Sequence, residues 1–196
     1  NVLELGCGLG YTTKILEQNN CKITCIEHSN HFIEITKEKL TDSQNTNFIN
    51  SKWETFNTDE EFSDIILFRG LDCVEDLEIT MQFLKNISKK STIHIVVTNT
   101  KSFHRIASEK LGMDKTDILT PKAKSVGRLQ NLNYEVMLDL FNNFNFEIHH
   151  FEGIGFKIFS NEEMDKETEK RMDVFVNMGK DAGVNAAELY FKIKSK

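Results

Sequence analysis

Apolar residues fall in short runs separated by segments of helical spacing. Val2, Leu3 and Leu5 form the first run, and residues 22–26, 47–50, 63–68, 92–98, 146–151 and 187–193 repeat the pattern. Runs of this length, rich in β-branched residues, read as buried strands. Between them, residues 11–19, 30–40, 133–143 and 166–179 read as helices. In the third of these, Val136, Met137, Leu140, Phe141 and Phe144 recur at helical spacing and are expected in the core. The alternation predicts an α/β fold: a Rossmann-like, seven-stranded, mainly parallel sheet with helices on both faces and the last strand antiparallel beside the sixth. No repeat, linker or low-complexity tract divides residues 1–196, which read as one domain. Pro121, the only proline, is expected to mark a loop.

The first strand runs into Glu4-Leu5-Gly6-Cys7-Gly8-Leu9-Gly10 and then a helix. Three alternate glycines remove Cβ where the chain must turn sharply and approach a ligand, as in a nucleotide-cradling loop. A dinucleotide fold wants Gly-x-Gly-x-x-Gly, and the residue at that third place is Tyr11. A carboxylate at Glu4 would repel a pyrophosphate and suits a cationic ligand.

The pattern Glu4-x-Gly6-x-Gly8-x-Gly10 resembles the first motif of the class I S-adenosylmethionine-dependent methyltransferases. The resemblance extends in order along nearly the whole chain. It implies S-adenosyl-L-methionine as cofactor, with Glu4, Gly6, Cys7, Gly8 and Gly10 in the first loop. Glu27 and His28 follow at the end of the second strand, where an acidic side chain accepts both ribose hydroxyls. Trp53 and Glu54 stand where relatives recognise adenine. Many relatives have an aspartate in place of Lys52; lysine cannot accept a proton from adenine, which leaves Glu54, a backbone carbonyl or water as acceptor. Arg69 and Leu71 would line the methionine and adenine side. The segment 69–76 is similar to Leu-Glu-His-Val-x-Asp of small-molecule methyltransferases, with Asp72 and Cys73 in place of glutamate and histidine.

After the fifth strand, Asn99-x-x-Ser102-x-His104-Arg105 resembles a stretch in bacterial methyltransferases that modify polysaccharides and other small metabolites. The resemblance sets His104 beside the methyl group, and imidazole titrates near neutrality, so His104 is the first candidate general base and Asp72 the second. Asn99, Arg105 and Arg128 are candidate substrate-binding residues. Gly127, Arg128 and Leu132 replace that group's Gly-His-x-x-x-Tyr, and its histidine and tyrosine contacts do not carry over. Asn161 and Met164 fall where a loop would return to the pocket.

Net charge is −6, which argues against a sequence-independent grip on nucleic acid. Residues 101–128 nonetheless hold seven basic and three acidic side chains, net +4, and the remainder carries −10. A basic substrate-recognition insertion at about 101–132 predicts an anionic small acceptor: a phosphate, phosphoramidate, nucleotide-linked sugar or acidic sugar. An anionic oxygen needs no base, and Arg105 and Arg128, whose guanidinium groups match phosphate bidentately, would orient it. The expected activity is methyl transfer to oxygen in bacterial surface-polysaccharide modification. Carbon or nitrogen methylation of a neutral metabolite, a catalytically silent S-adenosylmethionine-binding module, and an NAD-binding oxidoreductase are the alternatives.

Cys7, Cys21, Cys25 and Cys73 contain no Cys-x-x-Cys pair and read as reduced cytosolic thiols. Cys21 and Cys25, at opposite ends of one strand, would stand ~13 Å apart, too far to share a zinc ion with His28 and His31, so no metal is expected. His149 and His150, adjacent on a strand, are expected on opposite faces. No apolar run approaches the ~20 residues of a membrane span, so no membrane partner is expected. The sequence opens inside the first strand without methionine, and an upstream segment is expected.

Overall fold

In the computed structural model, which describes residues 1–42, 44–113, 119–157 and 169–196, β1 (Val2–Leu5) is buried along its whole length. A strand covered on both faces is mainly apolar, and the one polar side chain of β1, Glu4, is hydrogen-bonded by Thr13. Parallel neighbours β2 (Ile23–Glu27) and β4 (Asp64–Phe68) flank it, β3 (Thr46–Asn50) lies outside β2, and β5 (Thr92–Thr98) extends the sheet beyond β4. The chain then reverses. β7 (Glu188–Ser195) lies antiparallel between β5 and β6 (Phe146–Ile154), so the described residues form a seven-stranded sheet ordered β3-β2-β1-β4-β5-β7-β6. The order of direction in the sheet is the one read from the sequence.

The two faces are filled by different helices: α1 (Tyr11–Gln18), α2 (Asn30–Lys39), α3 (Leu77–Ile87), α4 (Phe103–Lys110), α5 (Pro121–Ser125), α6 (Tyr134–Asn143) and α7 (Glu169–Ala182). Leu3, Leu5, Ile65, Leu67, Ile93, Ile95 and Phe191 pack with Met81 and Leu84 of α3 and Met137 and Phe141 of α6. On the opposite face Ile23 and Cys25 of β2 and Cys7 pack with Leu16 of α1. Each fully buried aliphatic side chain contributes about 1.5–3 kcal/mol. Side-chain caps start the helices: Ser29, Asp76, Thr120 and Asn133 accept from the backbone NH three residues on.

Two local expectations are corrected. Pro121 does not mark a loop but opens α5 at its first position, where its missing NH is no loss. The register of β6 against β7 slips between Ile148 and His150, and this bulge ends the simple alternation. His149 and His150 are both exposed, beside Glu147 and Glu152 respectively. Asn161, Met164, and Lys115 with Asp114 and Asp117 of the basic stretch lie outside the described residues. No helix among the described residues is long and apolar enough to cross a membrane.

Candidate cofactor and acceptor site

β1 ends in the glycine loop, and Gly6, Gly8 and Gly10 all have positive φ, at 82°, 50° and 78°. The three are not equivalent. A Cβ on Gly10 would lie 2.8 Å from the Thr36 side chain of α2, whereas nothing stands within 4 Å of one on Gly8. Gly10 is therefore small because the fold closes on it, and Gly8 faces open space at the cleft. Glu4 lies beneath the loop, 2% exposed, and accepts a hydrogen bond from Thr13 Oγ1 of α1 at 2.7 Å. Burial pushes its carboxyl up to about 7, against the Thr13 hydrogen bond, with the nearby Glu27 adding to the rise.

Glu27 closes β2 at the carboxyl end of the sheet and is 4% exposed. Its Oε2 accepts from Gly8 N at 3.3 Å and its Oε1 from Ser29 N at 2.9 Å, with His28 Nδ1 at 3.2 Å from Oε1. These donors hold the carboxylate against the glycine loop. Asn50 of β3 ties down the strand end by donating to the carbonyls of Glu27 and His28.

A cleft of about 460 Å³ runs from this loop to the end of β4. Its opposite wall is a 3-10 turn, Trp53–Thr55. The indole packs edge-on between two glycines: Cβ atoms on Gly6 and Gly70 would lie 3.3 and 3.1 Å from its Cζ3 and Cη2. Trp53 Nε1 is buried without a hydrogen-bond partner. Lys52, at the aspartate position, is exposed and stands 3.9 Å from Glu75 across the mouth. Glu54 lines the cleft and accepts from Thr80 Oγ1 at 3.4 Å. A larger hollow, about 740 Å³, lies between segment 54–62 and α3, away from the glycine loop.

Beyond the cleft, the ends of β4, β5 and β7 meet. Asp72 is 2% exposed; its carboxylate accepts from Thr98 N at 3.2 Å, and its carbonyl accepts from Leu129 N and Gln130 N. Burial raises its carboxyl to about 6, against the pull of Arg128, Thr98 and Arg69. Burial likewise raises Glu188, which Arg69 and Arg128 oppose. Arg69 takes a left-handed φ of 60°, which costs a non-glycine residue on the order of 1–2 kcal/mol. His104, on α4, lies 3.2 Å from Ser102 Oγ through Nδ1. Its burial, then the charges of Lys157 and Arg105, lower its pKa to about 4, away from the neutral range that its residue type suggests.

The structure thus sorts the residues picked from the sequence. Gly6, Gly8, Glu27, His28, Trp53, Glu54 and Arg69 line one cleft. Glu4, Gly10 and Leu71 do not line it; Leu71 is a core residue. The Cys7 side chain is turned into the Ile23 and Cys25 cluster, with Thr36 Oγ1 3.4 Å from its sulfur. Asn99 is 1% exposed, with Nδ2 donating to Val184 O and Ala186 O and Oδ1 accepting from Lys101 N, so its polar atoms are engaged by the fold. Phe32, Gly70 and Cys73 also line the cleft and were not singled out as cofactor residues from sequence. A glycine two residues past the end of a strand was the available signal for Gly70; Phe32 looks like any apolar helix position. Among the described residues no group of three His, Cys, Asp or Glu side chains is placed to hold a metal ion.

Residues 2–91 match the family model of a methyltransferase domain. A stretch of 78 residues is 37% identical to malonyl-[acyl-carrier protein] O-methyltransferase 1 of Ilyobacter polytropus, covering 39% of this chain and 29% of the relative. The chain therefore spans less than a third of the length of that curated relative. Among solved structures it is similar throughout its length to the N-methyltransferase NodS of Bradyrhizobium japonicum with S-adenosyl-L-homocysteine, at 12% identity and TM-score 0.62 over 77% of that chain. A possible histamine N-methyltransferase of Thermotoga maritima gives 16% identity and TM-score 0.66 over 82% of its chain. Residues 2–91 are thus similar to a methyltransferase domain, the whole chain has the class I methyltransferase fold, and S-adenosyl-L-methionine is the cofactor that this similarity implies.

Proposed function

We propose that this domain is an S-adenosylmethionine-dependent methyltransferase whose acceptor is an oxygen of a small anionic molecule. The observation that carries the cofactor half is the pairing of an open-faced glycine with a strand-end carboxylate: Gly8, with free space beside it, donates to Glu27. Trp53 lines the same cleft. These groups fit the cofactor. Glu27 would hold the ribose, the loop from Gly6 to Gly10 would approach the cofactor through its backbone, and Trp53 would supply apolar wall. S-adenosyl-L-methionine bound there supplies an electrophilic methyl group.

The acceptor half rests on charge. Arg69 and Arg128 both act on Asp72 and Glu188, and Arg105 adds its charge beside His104. Such groups orient an anionic oxygen so that its lone pair faces the methyl carbon. An oxyanion has no proton to lose, so neither His104 nor Asp72 needs to act as base. That suits the structure: the imidazole is held as a weak base and Asp72 is enclosed. The relative that methylates oxygen of a malonyl group supports an oxygen acceptor, while the nitrogen methyltransferases share only the fold. Modification of a bacterial surface polysaccharide in the cytoplasm remains within this proposal, with free thiols at all four cysteines in keeping with it.

The test is formation of S-adenosyl-L-homocysteine with a panel of phosphorylated sugars, nucleotide-linked sugars and small carboxylic acids. Turnover confined to neutral amines would reject the anionic acceptor, and tight NADH binding without S-adenosyl-L-homocysteine binding would reject the cofactor.

A further inference from the structure

Arg69 leaves β4 in the left-handed region, its backbone NH bonded to Val96 O at 2.7 Å. This backbone aims its side chain along the ends of β5 and β7, where Nε lies 3.5 Å from Glu188 Oε1. No other side-chain partner of Arg69 occurs among the described residues, and 45% of the side chain is exposed. Arg128 approaches from the other side. Its position is set by the next two residues, whose NH groups both bond to Asp72 O, at 2.8 and 3.1 Å, and by Gln130 Nε2, which donates to Val74 O. The Arg128 guanidinium makes no hydrogen bond or ion pair of its own among the described residues, although its charge acts on Asp72, Cys73 and Glu188.

Two guanidinium groups therefore act on the same two carboxylates, Asp72 and Glu188, which are only partly able to neutralise them. The Asp72 carboxylate is engaged by the Thr98 NH, and burial disfavours the charged form of both Asp72 and Glu188. An arginine whose Nε is occupied still presents its terminal nitrogens, which match two oxygens of a carboxylate or phosphate.

We infer that Arg69 and Arg128 form an oxyanion-receiving site for the methyl acceptor at the ends of β4, β5 and β7, with Glu188 as the positioning residue that orients Arg69. This deepens the methyltransferase reading and rests on it for the identity of the neighbouring cleft. It gives Arg69 a role toward the acceptor besides its place in the cleft wall.

The experiment titrates the full chain with malonate and, separately, inorganic phosphate, each with and without saturating S-adenosyl-L-homocysteine, by calorimetry. Arg69→Gly is the informative variant, because glycine takes the left-handed backbone without strain and should melt no lower than the parent. It is expected to weaken anion binding by about tenfold or more, the scale of a lost charge-assisted pair, and to weaken S-adenosyl-L-homocysteine by a clearly smaller factor, since Arg69 also lines the cleft. Arg128→Gln should weaken the anion similarly. Glu188→Gln keeps an acceptor for Nε and removes a competing negative charge, so anion binding should tighten, which a purely structural role would not produce. Preference for malonate or phosphate names the carboxylate or phosphoryl source. The inference is overturned if neither anion binds, if Arg69→Gly leaves anion binding unchanged, or if it weakens S-adenosyl-L-homocysteine by the same factor. If S-adenosyl-L-homocysteine fails to bind but the anion still depends on both arginines, the cofactor reading falls and the anion site stands.

Discussion

Thr13 Oγ1 donates to Glu4 Oε2 at 2.7 Å, joining the first helix to the first strand underneath the glycine loop. The contact holds the loop from below, and it leaves a carboxyl group in a place where the charged form is disfavoured.

Stability of the cofactor-free protein should fall as pH rises through 7. Glu4 titrates at about 7 when folded against an ordinary value of 4.5, so the folded chain keeps a proton that the unfolded chain has lost. That protection is whole below about 4.5 and gone above about 7, a difference on the order of 3 kcal/mol. Asp72, raised to about 6, acts in the same sense at lower pH. Thermal melts from about pH 5 to 8 check this, and Glu4→Gln should lose most of the slope.

Gly8→Ala and Gly10→Ala should separate binding from folding. At Gly10 a methyl group meets Thr36 at 2.8 Å and φ is 78°, so denaturant melts should show a loss of about 2 kcal/mol or more. At Gly8 φ is 50° and nothing lies within 4 Å, so the loss should be about 1 kcal/mol. S-adenosyl-L-homocysteine affinity should fall at least about tenfold in Gly8→Ala, because its methyl group enters the cleft.

Trp53 is the only tryptophan, so emission reports on the cleft alone. Adding S-adenosyl-L-homocysteine should shift or quench it. Gly70→Ala, whose Cβ would meet Trp53 Cη2 at 3.1 Å, should displace the indole and weaken cofactor binding. Unchanged emission on saturation would place the ligand elsewhere.

His104 has a depressed pKa of about 4, so the folded chain stays neutral there while the unfolded chain gains a proton below about 6.5. Its burial therefore costs stability progressively as pH falls from 6.5 to 4. His104→Gln should melt higher relative to the parent at about pH 5 than at pH 8. If His104 serves as base, the acid limb of the rate profile should lie near pH 4 to 5 instead of near 6.5.

Asn99→Ala should destabilise by about 1–3 kcal/mol, because the carbonyls of Val184 and Ala186 lose their donor in a buried place. Its effect on activity should follow its effect on folding, measured as active fraction against melting temperature.

Several elements were readable from local chemistry. The strand runs, the helix ending near residue 40 and the helix of Val136 to Phe144 appear where apolar spacing places them, because burial acts on each segment in the same way wherever it lies. The helix Leu77–Ile87 was not read, although Asp76 caps it and Leu77, Met81 and Leu84 share a face. Pro121 was read as a loop because a proline's two roles, stopping a helix and starting one, look alike without the Thr120 cap in view.

The amino-acid sequence by itself determined the glycine loop, the acidic strand end at Glu27 and the order of strands and helices, since these depend on side-chain size and local periodicity. Which side of each chain segment faces the cleft depends on how the sheet and helices pack together. Cys7 and Asn99 sit inside motifs yet point into the fold, and Glu188, from the last strand, meets Arg69 from the fourth because β7 inserts beyond β5. Burial and charge then set the titration of Glu4, Asp72 and His104, quantities that depend on neighbours distant in sequence and brought together by the sheet.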